Sequence, residues 1–193
     1  MPISIDGAGT ITGVSAGGLP DACVTAADLA SGAARTNFGA GAVLQVVQGV
    51  NTNVQNSLTS STFADIPNLS AVITPSSTSN KILVTVSLYG SATSNTGVRL
   101  MRDSTPIGIN TNASPSNRKQ GAGGDFYANN VTTGESVIFT FLDSPASTSG
   151  ITYKMQYFVN GGSTFCLNAN YLDGDFVYVT RGISTITLME IAG

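Results

Sequence analysis

The chain has 193 residues, enough for one domain with a real core plus an appendage and too few for two full domains. Charged residues make up only 10% of it, against about 25% in an average soluble protein, while Gly, Ser, Thr and Asn abound, so the surface is neutral and hydroxyl-rich, as suits a protein packed in an assembly. The net charge of -3 and a pI of about 4.6 exclude a surface built to neutralise a row of phosphates, and with it a nucleic-acid partner.

From the start of the chain to about residue 38 the sequence is rich in Gly and Ala, with short apolar pairs such as Ile3 with Ile5 and Ile11 with Val14. Within it, "GGLPDACVTAADLASGAAR" has too few large apolar side chains for a core and too little charge for a solvated linker. Thr25 is a good N-cap, Asp28 the capping-box carboxylate three residues on, Val24 and Leu29 the staple, and Gly32 a terminator, which together predict a short helix over about Ala26 to Ser31. A helix that short is unstable alone in water, because nucleation outweighs propagation, so its Leu29 face must lie against protein. Residues 1–38 are therefore expected to be a docking arm, with Leu19, Val24, Thr25, Asp28 and Leu29 as its contact residues. The arm meets either a partner or its own domain.

From residue 39 to 193 strand patterns take over. "GAVLQVVQGV", "STFADI" and "LSAVIT" lead to "KILVTVSLY", where Ile82, Val84, Val86 and Leu88 alternate with Leu83, Thr85, Ser87 and Tyr89, the period of a strand facing a core. "GVRLMRDSTPIGIN" reads as a hairpin, with Asp103, Ser104 and Pro106 supplying the turn. A second hairpin is expected in "ESVIFTFLDSPASTSGITYKMQYFV", turning between Asp143 and Gly150. "TFCLNAN", a loop around "LDGDF", and a final strand "STITLMEIA" complete the chain. Many short strands with no long helical period predict an all-β antiparallel sandwich of jelly-roll type, preceded by an extended arm carrying one short helix. Both faces of Val137 to Leu142 are almost wholly apolar, whereas a sheet wet on its outer side shows polar residues there. Either a second copy or a loop of the same chain covers that face. The first reading leads to a closed ring of identical copies.

No catalytic constellation is visible. The chain has no histidine, which removes the Ser-His-Asp and Cys-His arrangements and the usual near-neutral proton carrier, so no enzymatic activity is expected. Asp173 and Asp175 of "LDGD" suit a turn better than an acid and base pair, and although their ligand type suits calcium, the rest of a binding loop is absent. Neither a metal nor a cofactor is expected; the glycines of "GAGTITG" lack dinucleotide-fingerprint spacing. Cys23 and Cys166 have no redox or zinc spacing and read as reduced and structural. Asn68, Asn112 and Asn130 each open an Asn-X-Ser/Thr triplet, which a chain of this composition produces by chance. Arg118 and Lys119 of "NRKQ" form a solvated loop tip. No apolar run is long enough to span a bilayer, and "MPISIDG" is no signal peptide, so the chain is expected to be made in a cytoplasm without membrane insertion.

The segment "GTITGVSAGGLPDACVTAADLASGAA" resembles the glycine-rich leaders of tail-fibre and other virion proteins of tailed bacteriophages. "SSTFADIPNLSAVITPSSTSNKILVTVSL", "TGVRLMRDSTPIG" and "STITLMEIAG" are similar to the β-rich, trimer-forming heads of phage virion proteins. The resemblance implies a trimeric jelly-roll virion protein made in the host bacterial cytoplasm, with itself and the major capsid protein, or alternatively a tail protein, as partners. Such modules serve as capsid cement proteins on local threefold positions and as fibre tips that bind the host. Some fibre tips hold metal through paired histidines, which this chain lacks. A cement or decoration role is expected, since there is no shaft between arm and head. A fibre head recognising a host glycan is the alternative, and a free carbohydrate-binding module is a third reading. The absence of Trp and an aromatic content of 7% weigh against both glycan readings.

Overall fold

The computed structural model describes residues 4–5, 11–12, 39–110, 118–127 and 132–193, in two compact units, residues 1–39 and 40–193. The first unit contains a small antiparallel ladder of β1 (Ser4–Ile5) and β2 (Ile11–Thr12), with Ile5 opposite Ile11. The helix expected over Ala26 to Ser31 and the contact residues Leu19, Val24, Thr25, Asp28 and Leu29 lie outside the described residues, as does Cys23.

The second unit is an all-β sandwich of antiparallel sheets. Its strands are β3 (Val43–Asn51), β4 (Gln55–Leu58), β5 (Ala64–Ile73), β6 (Lys81–Ala92), β7 (Thr96–Arg102), β8 (Thr105–Ile107), β9 (Glu135–Asp143), β10 (Ile151–Val159), β11 (Phe165–Leu167) and β12 (Ser184–Ile191). One sheet runs β3-β12-β6-β9, with short β11 continuing beside the end of β6 and carrying β4; the other runs β5-β10-β7-β8. The pairing is nested: β7 pairs with β8, β6 with β9, β5 with β10 and β3 with β12, as though one long hairpin had been rolled up. Its tip is the turn at Asp103 and Ser104, where Asp103 takes a left-handed φ of 51°, and Pro106 follows on the edge strand β8, where a missing N–H costs no ladder bond.

This nesting corrects the second expected hairpin. β9 and β10 are not paired with each other; they lie in opposite sheets, and residues 144–150 cross between the layers. A single apolar face on each strand is satisfied as well by facing its neighbour across the core as by lying beside it, so alternation alone does not tell the two apart. The expected strands "STFADI" and "LSAVIT" are also one strand, β5, interrupted by an irregularity: Ser70 pairs with Lys154 and Asp65 with Gln156, so the intervening residues bulge and Asn68 adopts a φ of 59°.

The alternation of β6 is realised in full, with Ile82, Val84, Val86 and Leu88 completely buried. Ile186 and Leu188 of β12 extend this inner face, and across from it lie Leu69 and Ile73 of β5, Val98 and Leu100 of β7, and Tyr153 and Met155 of β10. At the end of β6, Phe126 and Phe165 meet at a centroid distance of 4.8 Å. At the β3 margin the layers approach so closely that a β-carbon at Gly49 would overlap the carbonyl oxygen of Ser70.

Candidate functional site

The two outward faces of the sandwich differ in kind. On the β5-β10-β7 side, Asp65, Arg99, Lys154 and Gln156 form a charged network: Lys154 Nζ donates to Asp65 at 2.7 Å, Gln156 Nε2 donates to the same carboxylate at 2.6 Å, and Arg99 Nε donates to Gln156 Oε1 at 2.8 Å. The Arg99 guanidinium also lies 4.1 Å above the Phe63 ring.

The outward face of β9-β6-β12-β3 is built the other way. The strand registers align Leu142, Leu83, Met189 and Val46 in one apolar row, and Thr140, Thr85, Thr187 and Gln48 in a polar row beside it. Ile138, Ser87, Thr185 and Val50 make a third row. Lys81, at the corner, is the one charged residue among those aligned on this face. Ile138 is 67% exposed and Leu142 47%, so no loop of the described residues covers the outer side of β9.

A second feature stands at one end of this sheet, where residues 168–183 form a projecting loop with firmly held legs. Asn168 has a φ of 62°, and its Nδ2 donates to the carbonyls of Asn51 at 2.8 Å and Asn53 at 2.9 Å. Its Oδ1 accepts the Ser184 hydroxyl at 2.7 Å, and Gly182 N–H donates to its carbonyl at 3.1 Å. Asn170, also buried, bonds the Thr132 carbonyl and accepts from Asp173 N–H. The Tyr89 hydroxyl is 2.9 Å from Thr180 Oγ1, with Gly182 packed on its ring, where any β-carbon would collide. Arg181 ties the two legs together by donating to both oxygens of Asp173 at 2.8 and 3.0 Å, which raises the Arg181 pKa above its ordinary value.

At the tip, Val179 N–H bonds the Phe176 carbonyl at 3.0 Å and closes a turn that leaves Phe176, Val177 and Tyr178 exposed. The Phe176 and Tyr178 rings are parallel within 4° at a centroid distance of 5.3 Å, and Phe176 also packs over Gly174. Asp173, Gly174, Asp175, Phe176, Val179 and Arg181 line an open cleft of about 400 Å³.

Asp173 and Asp175 lie in an irregular stretch of the loop with a bend at Asp175, the closed turn comes further on at Phe176 to Val179, and Asp173 is committed to Arg181. Among the described residues no group of three or more Cys, Asp or Glu is placed to hold a metal ion. Cys166 is a free, buried thiol, and burial, reinforced by the Asp173 carboxylate, pushes its pKa up to about 11. Lys119 is exposed, as expected for "NRKQ", with its ammonium 6.0 Å from the Phe158 ring centroid. Composition concealed the aromatic tip: a low overall aromatic content says nothing about where the rings gather.

No known protein family matches this sequence, and no curated protein does. Among solved structures the fold is similar to the VP2 protein of infectious bursal disease virus in derived T=1 particles, at 10% identity and a TM-score of 0.38, over 76% of this chain and 37% of that one. It is similar also to the structure of the Gx strain of that virus, at 11% identity and a TM-score of 0.36, over 77% of this chain and 36% of that one, and to a VP2 subviral particle, at 10% identity and a TM-score of 0.34, over 78% and 40%. The chain spans well under half the length of these proteins.

Proposed function

We propose that this chain is a structural protein of a bacteriophage particle, a jelly-roll module that assembles as a homotrimer and acts as a capsid cement protein bracing neighbouring major capsid subunits. The nested strand pairing, with β3-β12-β6-β9 facing β5-β10-β7-β8, supports the jelly-roll assignment. The observation that carries the assembly reading is the contrast between the two outward faces. A face with a single corner charge and flat rows of Leu, Met, Val and Thr is buried without the penalty of stripping water from ions, and it meets an identical copy without like charges opposed. The charged face stays in solvent, and the arm of residues 1–38 reaches the capsid.

Sedimentation of the purified chain at micromolar concentration tests the assembly, with co-sedimentation on phage shells stripped of the protein testing the role. The parent should run as a trimer and bind shells. Thr85→Lys, in the middle of the uncharged face, should give a folded monomer, while Ser70→Lys on the opposite sheet should leave the trimer intact. Leu29→Asp should leave the trimer folded and abolish shell binding. A monomeric parent overturns the assembly claim, and a trimer that ignores shells but adsorbs to host cells replaces cement with a fibre head. The exposed aromatic tip of the loop favours that second reading.

A further inference from the structure

We infer that Asn160, in the exposed turn between β10 and β11, is a site of covalent modification that needs no enzyme: its side-chain amide is lost to attack by the Gly161 nitrogen, through a cyclic succinimide, leaving aspartate and isoaspartate. The inference goes beyond the assembly reading and does not depend on it. Hydroxide takes the Gly161 N–H proton, the nitrogen bonds to Cγ of Asn160, and the amide nitrogen leaves as ammonia with a proton from water. Water then opens the ring at either carbonyl. Cleavage at the side-chain carbonyl gives aspartate, and cleavage at the main-chain carbonyl gives isoaspartate.

Asn160 and Gly161 form the one Asn-Gly pair in the sequence. Both are exposed, and a β-carbon at Gly161 would meet nothing within 4 Å, so neither a side chain at that position nor a neighbour obstructs the approach to Cγ. Gly161 and Gly162, at φ 67° and 71°, sit without strain in the left-handed region and leave the turn wide backbone freedom. The bond that closes it, from Ser163 N–H to the Asn160 carbonyl, is 3.3 Å long, beyond the usual range, and yields readily to the rotation of the Asn160 backbone that brings the Gly161 nitrogen to Cγ. The Asn160 side-chain amide makes no hydrogen bond among the described residues, whereas those of Asn51, Asn80, Asn95, Asn168 and Asn170 are all held. Ring closure at Asp173 and Gly174 is obstructed as well, because the Asp173 carboxylate is fixed to Arg181 at 2.8 and 3.0 Å and Gly174 is packed against the Phe176 ring. Each event at Asn160 adds one negative charge, and isoaspartate also routes the main chain through the side-chain carbon, turning the carbonyl that Ser163 N–H bonds into a pendant carboxylate.

Peptide mapping by tandem mass spectrometry of the full chain, aged in warm buffer at neutral and mildly alkaline pH, tests this, with the free peptide Tyr157 to Phe165 as the unstructured reference. Asn160 should gain the mass of an amide exchanged for a hydroxyl, with isoaspartate the larger product, while Asn51, Asn168 and Asn170 stay intact. Its rate should rise with pH and lie within about tenfold of the free peptide's, since the turn offers little restraint. Gly161→Ala, whose methyl group hinders the attack, should slow the loss by about tenfold or more. Asn160→Gln, which would have to close a six-membered ring, should stop it with the melting temperature unchanged. A rate further below the peptide's than that margin means that the turn protects Asn160 and overturns the proposal. Conversion that is undiminished in Gly161→Ala, or that is as fast at Asn168 and Asn170, overturns it too. The assembly claim is read separately, by Thr85→Lys.

Discussion

Arg102 Nη1 lies 2.9 Å from Oδ1 and 3.0 Å from Oδ2 of Asp143, joining the end of β7 in one sheet to the end of β9 in the other. The Tyr153 hydroxyl donates to the same carboxylate at 2.7 Å from the start of β10. The group thus fastens the place where residues 144–150 cross between the layers. Burial and the neighbouring Asp143 carboxylate both raise the Tyr153 pKa, so the phenol stays protonated and remains a donor.

Asp143→Asn should therefore destabilise the sandwich by about 2 kcal/mol, because it removes the charge that pairs Arg102 while keeping an acceptor for Tyr153. Asp143→Ala should cost more, since it also strands the buried phenol. Urea unfolding of the two variants checks the order; equal losses would mean that Tyr153 contributes nothing through this bond.

Glu190 makes a different kind of buried anion, with no ion pair to a cation among the described residues. Its carboxylate accepts from Asn80 Nδ2 at 2.6 Å, Gln45 Nε2 at 2.6 Å, and Ser76 through both N–H at 2.6 Å and hydroxyl at 2.7 Å. Burial acts to raise its pKa, but the donors outweigh it and hold the group below its ordinary 4.5. A depressed folded pKa contributes stability that is present in full above the unfolded value and is lost as pH falls through the folded one. Glu190→Gln, which turns an amide N–H₂ toward donors, should cost about 2 kcal/mol at pH 7. The gap between parent and variant should close as the pH drops below 4.5. Denaturant melts at several pH values measure it, and a gap that widens on acidification would contradict the assigned sign.

The close approach of the two sheets at Gly49 predicts a sharp cost for a single methyl group. A β-carbon there overlaps the Ser70 carbonyl, which is backbone and cannot rotate away, so β3 or β5 must shift. Gly49→Ala should lose about 1 to 3 kcal/mol. The same change at Gly39, which has nothing within 4 Å of a β-carbon, should be silent in a melting experiment.

Much of the sandwich was legible because local chemistry and tertiary role coincide. The Asp103-Ser104 turn and the alternation of Ile82, Val84, Val86 and Leu88 are both properties of a few adjacent residues. The partner of β9 was not legible, since the apolar set of Val137, Phe139 and Phe141 faces inward whichever strand lies beside it. Glu190 stands in register with Ile186 and Leu188, so its burial was written in the period of β12, but its donors come from positions more than a hundred residues away in sequence. The tip depends on Asn168 and Asn170, which by type are ordinary turn residues; only the structure reveals that they are buried and bonded to distant carbonyls.

Asn168 gives the most discriminating test, because its backbone and its side chain can be separated. The residue sits in the left-handed region, and its side chain makes three hydrogen bonds, one to the Asn51 carbonyl at the end of β3, one to the Asn53 carbonyl just beyond it and one from Ser184. Asn168→Ala removes those bonds and also forces a β-carbon into a conformation that alanine disfavours by about 1 kcal/mol or more. Asn168→Gly removes the same bonds without that strain. Both variants should be less stable than the parent, with glycine better than alanine by about 1 kcal/mol, the reverse of their usual order in regular structure. Hydrogen exchange at Val179 N–H, which closes the tip turn, should accelerate in both, because the legs of the loop lose their anchor. If alanine proves the more stable, the left-handed backbone is not held in solution; if exchange at the tip is unchanged, the anchor and the turn are independent.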